Sequence, residues 1–164
     1  MAISTIQNAS FGSDSIVNAN GIKFPATQVA SADANTLDDY EEGTFTPTFA
    51  GSSGTITAYT ASGYYVKVGR SITVTMSVTI TTAGTAGGNG IFTGLPFTSV
   101  NTGFGGGARA GTASFREDAI TGIWYFGYVA GNSNIVNFTT STNSGIGWGN
   151  GYVYVTSFVY ESAS

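Results

Sequence analysis

The chain has 164 residues, 41% of them apolar but only 9% charged, with a net charge of −4. This is one domain's worth of chain with enough apolar material for a core. It contains neither Cys nor His, which excludes disulfides, thiolate nucleophiles, zinc–thiolate sites and the Ser-His-Asp triad. Five Lys and Arg residues make no basic stripe, so no nucleic-acid partner is expected.

In chain order, the opening MAISTIQNASFGSDS has no basic n-region and no apolar h-region, so no signal peptide is expected. No apolar run reaches the length of a membrane span, and no membrane insertion is expected. Residues 1–43 carry most of the acids, including Asp38, Asp39, Glu41 and Glu42, and their apolar residues keep neither a helical nor a strand period. They read as an extended attachment arm, with Ile22, Phe24, Leu37 and Tyr40 as its contacts to another surface. One turn of helix is expected over 36–42, with Thr36 as cap, Asp39 completing a capping-box-like pattern and Gly43 as stop.

From Thr44 the pattern turns to alternation. Phe45 and Phe49 share a face, with Pro47 marking an edge strand. Tyr64, Val66 and Val68 align on the next strand, and Gly69-Arg70 suits a tight hairpin. Residues 71–82 alternate strictly, with Ile72, Val74, Met76, Val78 and Ile80 on one face and Thr or Ser on the other. That is one buried face and one wet face. A glycine-rich turn over 84–90 precedes further strands near 107–115, 120–129, 134–140 and 151–160. The last of these is apolar on both faces and reads as central. The whole predicts an all-β fold, an antiparallel jelly-roll-like β-sandwich over 44–164 behind the arm.

The segments Asn20-Gly-Ile-Lys-Phe-Pro-Ala-Thr-Gln28 and Leu37-Asp-Asp-Tyr-Glu-Glu-Gly-Thr-Phe-Thr-Pro47 carry a resemblance. With Tyr64-Tyr-Val-Lys-Val-Gly-Arg70, the long Val/Thr strand and Gly94-Leu-Pro-Phe97, this part of the chain resembles a β module of tailed-phage fibre, tailspike and virion surface proteins. The resemblance covers roughly residues 20–98. It implies a non-enzymatic structural component of a virion, made in the host cytoplasm and acting as a homotrimer. Such a protein would be a tail-fibre or short-fibre tip that adheres to a host glycan and binds other virion proteins through the arm. The alternative it leaves open is a capsid decoration or head-fibre protein.

The candidate ligand residues are few. Trp148 and Asn150 lie in Gly145-Ile-Gly-Trp-Gly-Asn-Gly151, where the flanking glycines would leave the indole open as a platform for a sugar's C–H face. Trp124 opens the aromatic run Trp-Tyr-Phe-Gly-Tyr128, and Arg116 could supply hydrogen bonds. The competing reading places Trp124 and Phe126 in the core and packs Trp148 over one end of the sandwich. Arg116, Glu117 and Asp118 read together as a solvent-exposed hairpin tip. The acids at 38–42 lack the spacing of a calcium loop, and read as a solvated turn whose charges pair with a neighbouring subunit. No metal or cofactor is expected. Neither glycine cluster, at 84–90 or 103–107, is followed by the Lys-Ser/Thr of a phosphate loop.

Overall fold

The computed structural model describes residues 16–18, 21–24, 31, 36–103, 109–140 and 145–163. The alternating stretch forms β6 (Ser71–Thr82), and its five apolar residues are all buried. On one side β6 pairs with β5 (Ala58–Val68) through the two-residue turn at Gly69-Arg70. Gly69 has φ 57°, the left-handed conformation that such a turn favours and glycine adopts freely. On the other side β6 pairs over its length with β11 (Val153–Glu161).

Six more strands complete the sheet: β3 (Tyr40–Phe45), β4 (Thr48–Ser53), β7 (Gly87–Thr93), β8 (Arg109–Glu117), β9 (Trp124–Ala130) and β10 (Ile135–Thr139). The order is β3-β5-β6-β11-β8-β9-β10-β7-β4, and every pairing is antiparallel. β1 (Ile16–Asn18) and β2 (Gly21–Lys23) form a separate hairpin. The all-β class is as expected, and β11 is central as its two apolar faces suggested. Among the described residues there is no helix, and so none long and apolar enough to cross a membrane.

The architecture differs from the expected pair of stacked sheets. One antiparallel sheet curls into a half-barrel and supplies both walls of the core, as the twist of many adjacent strands permits. β3 and β4 lie at opposite edges, yet only Thr46 and Pro47 separate them, so both edges converge on one corner. Proline is tolerated there because neither edge needs another ladder donor. Across the opening, the Phe49 backbone N–H of β4 donates to the Tyr59 hydroxyl of β5 (3.0 Å), and the two rings meet edge-on.

The core is aromatic. Phe138 stacks on Phe115 (ring centroids 4.2 Å apart) and on Phe92 (5.5 Å), with Phe49, Tyr125 and Tyr154 around them. Glycine makes this possible, which corrects the expected turn over 84–90. β7 already begins at Gly87, and Gly90 faces inward beneath Phe138. A Cβ at Gly90 would lie 2.3 Å from that ring, and the ring is wedged between two others. Gly90→Ala is therefore expected to cost about 1–3 kcal/mol by overpacking. A lowered urea midpoint at unchanged m-value is the expected observation.

The expected helical turn at 36–42 is also corrected. Tyr40–Phe45 pair with β5 instead, so the sheet begins inside the stretch read as arm. The acids have partners within the chain. Asp39 turns inward and forms an ion pair with Lys67, their side chains 7% and 4% exposed, and the Lys67 ammonium lies 4.9 Å from the Phe97 ring centre. Glu41 accepts from the Tyr65 hydroxyl, and that hydrogen bond, helped by burial, pushes the phenol up to about 12. Glu42 accepts from Tyr40 (3.0 Å), and Asp38 from the Ser31 backbone N–H (2.8 Å). The extended course read for 1–15, 19–20, 25–30 and 32–35 lies outside the described residues, as do 104–108 and 141–144.

Candidate functional site

The face of the sheet turned away from the core carries an open trough. Its construction follows from register. Ser62, Ser77, Val155, Arg116 and Trp124 pair successively across β5, β6, β11, β8 and β9, making one rung that crosses five strands. In the neighbouring rung Tyr64 pairs with Thr75 and Thr75 with Ser157. Small side chains thus occupy the middle of the face and large ones its flanks. The resulting cavity has a volume of about 480 Å³, within the range of small-ligand sites. Tyr64 stands on one flank, 63% exposed, and Trp124 on the other, 57% exposed. Four inter-strand spacings of ~4.8 Å put their backbones about 19 Å apart along the sheet.

The floor is hydroxyl-rich. Thr75 Oγ1 donates to Ser157 Oγ (3.1 Å), and Ser62, Ser77 and Ser114 lie beside them. Among the described residues Arg116 and Asp118 are the only charged ones lining the trough, and they form an ion pair with each other. The site thus combines aromatic flanks, neutral hydrogen-bonding groups and one self-compensated charge pair.

Glu117 departs from the expected exposed tip. Its neighbours Arg116 and Asp118 reach the trough, while its own side chain points to the other face and is 0% exposed. It accepts from the backbone N–H groups of Ala119 (2.9 Å), Ile120 (3.1 Å), Thr121 and Val153 (3.2 Å), and from the Thr121 hydroxyl (2.8 Å). Burial by itself pushes this carboxyl up; the hydrogen bonds from Thr121, Ala119 and Val153 outweigh it and bring the group down to about 2. Glu117 thereby fastens the turn that presents Asp118.

The structure brings Trp124 and Arg116 together and places Trp148 and Asn150 elsewhere. Trp148 stacks on Phe49 (centroids 5.4 Å apart), and its indole N–H donates to Gly88 O (3.1 Å). Asn150 Oδ1 accepts from the Ala83 N–H (2.9 Å). Both side chains tie the 145–151 loop to one end of the sheet, with the Tyr154 hydroxyl donating to Gly147 O. The competing reading is thus overturned for Trp124 and Phe126, which are exposed, and holds for Trp148, which packs over one end of the sheet in place of serving as an open platform. Of the expected arm contacts, Phe24 and Tyr40 meet ring to ring (5.9 Å), while Ile22 and Leu37 are exposed. Tyr64 and the hydroxyl floor were missed by the sequence reading. Their only trace there is the Thr/Ser face of 71–82 lying next to a tyrosine strand.

Among the described residues no group of three His, Cys, Asp or Glu side chains could hold a metal ion. No protein-family model matches the chain, and no curated protein or solved structure is significantly similar to it.

Proposed function

We propose that this chain is a non-enzymatic adhesion module that holds a saccharide in the trough between Tyr64 and Trp124. In this reading it serves as a trimeric tail-fibre or short-fibre tip of a tailed-phage virion. The observation that carries the proposal is the indole of Trp124 standing exposed beside a floor of Ser and Thr hydroxyls. A sugar ring has an apolar C–H face and a hydroxyl rim, and this surface offers a partner to each. The residues at 37–47 that resemble virion surface proteins support the setting. There, Ile22, Phe24, Leu37 and Tyr40 would contact other virion proteins. Three weak sites on one particle would act together, raising avidity by orders of magnitude over a single site.

The test is binding of the purified chain to immobilised host-surface polysaccharide, for the wild type and Trp124→Ala. Because Trp124 is exposed, the substitution is expected to change stability by no more than about 0.5 kcal/mol, while polysaccharide binding is lost. Undiminished binding by the variant overturns the proposal. Light scattering is expected to give the mass of three chains.

A further inference from the structure

We infer that the Arg116–Asp118 pair makes the trough selective for neutral saccharides bearing two adjacent hydroxyls, and that it turns away sugars carrying a carboxylate. This rests on the reading of the trough as a saccharide site, and adds which chemical class it accepts.

The argument begins with donor and acceptor capacity. A guanidinium only donates and a carboxylate only accepts. Arg116 uses Nη1 on Asp118 Oδ1, and among the described residues Asp118 Oδ2 receives no hydrogen bond. Donors and an acceptor thus remain side by side on the Trp124 flank. A pair of neighbouring sugar hydroxyls, each able to donate and accept, matches that arrangement with one group on each partner.

The backbone position is fixed as well as the chemistry. The Asp118 backbone N–H donates to Val153 O (2.8 Å), and the next N–H, of Ala119, is held by the buried Glu117 (2.9 Å). Arg116 lies in the β8 ladder opposite Val155 and Trp124. The backbones that carry the pair are therefore held in the wall. A stacked ring on Trp124 would present its hydroxyl edge to it.

Charge completes the selection. The two charged residues of the lining cancel, so the trough offers no net attraction to an anion. A uronic acid would have to compete with Asp118 for Arg116 and then lie beside the displaced carboxylate. It would do so on a protein whose net charge is already −4. Like charges at such separations repel. The observations favour a neutral ligand.

The experiment titrates the chain with neutral trisaccharides of glucose, galactose, mannose or N-acetylglucosamine, and with trigalacturonate, by calorimetry. The wild type is expected to bind at least one neutral sugar and not the uronate. Asp118→Asn removes the acceptor charge and frees Arg116. It is expected to weaken neutral binding about tenfold, the effect of one charge-assisted hydrogen bond. It should also gain trigalacturonate binding that fades at high salt. Arg116→Gln is expected to lose neutral affinity to a similar extent and to gain no uronate binding, which separates selectivity from simple damage to the wall. Wild-type binding of uronate as tight as that of neutral sugars, or a neutral-to-uronate ratio unmoved by Asp118→Asn, overturns the inference and leaves the trough reading standing. Wild type that binds none of these sugars overturns the trough reading, and the selectivity falls with it.

Discussion

Asp39→Ala is expected to destabilise the protein by about 3–5 kcal/mol, the loss typical of breaking a buried ion pair from one side. The reason lies in what is left behind. Lys67 is enclosed, with Asp39 as its counter-ion and the face of Phe97 as its other neighbour. Removing the carboxylate strands an ammonium that water cannot reach. Against a total stability of about 5–15 kcal/mol for a domain, such a loss would be visible as a large fall in urea midpoint. The double variant Asp39→Leu/Lys67→Met is expected to recover most of it, because replacing both charges by apolar side chains of similar size removes the stranded group. A single variant that loses less than about 1 kcal/mol would mean the pair behaves as a solvent-screened one. The same cycle tests how much a residue expected to belong to an extended attachment arm contributes to the folded sheet.

The second large effect concerns Glu117 and is written in its acid dependence. The carboxyl titrates near 2 in the fold against an ordinary value of 4.5. A depressed folded value means the ionised group stabilises the protein above the ordinary value. That contribution is lost as pH falls from about 5 through 2. At 1.36 kcal/mol per pH unit the contribution at neutral pH is about 3 kcal/mol. Glu117→Gln keeps the shape but replaces one acceptor oxygen with a donor facing backbone N–H groups. It should therefore cost about 2–3 kcal/mol at pH 7. The informative quantity is the difference between wild type and variant, measured by urea denaturation at several pH values. That difference is expected to shrink towards pH 2. A gap that does not change with pH would assign the loss to packing instead.

How much of this could be seen in the sequence depends on the range of the interaction that decides each element. β6 was legible because ten alternating residues report their own burial. The hairpin at Gly69-Arg70 follows from backbone geometry that the residues themselves impose. Pro47, read as lying within one edge strand shared by Phe45 and Phe49, instead breaks that stretch into β3 and β4 at opposite edges. The turn expected at 36–42 failed for the opposite reason. A local capping pattern was overridden by Lys67, 28 residues further on, and by pairing of Tyr40–Phe45 with β5.

The tryptophans show a subtler limit. On β9 the period of two separates Trp124, Phe126 and Tyr128 from Tyr125, Gly127 and Val129, but both sets are apolar, so the period does not say which faces inward. Gly127 decides it. A Cβ there would lie 2.5 Å from Asn137 O and 2.9 Å from Phe138 Cβ, so the glycine face is the crowded one and the tryptophan face is left outside. The trough itself has no local signature at all. Its residues run from Ser62 to Ser157 and become neighbours only when five strands take their register.

The central position of β11 has a consequence for synthesis. Thr75 of β6 and its cross-strand partner Ser157 are 82 residues apart in the chain. At translation rates of about 5–20 residues per second, that separation takes several seconds or more to make. Throughout that interval β5 and β6 can already form their hairpin, while the apolar row from Ile72 to Ile80 lacks the strand on its other side. Pairing of such distant segments also places the chain among slowly folding topologies. A nascent chain arrested before β11 would therefore expose a hairpin with one bare apolar face, a form suited to chaperone capture or to aggregation rather than to a smaller version of the finished sheet.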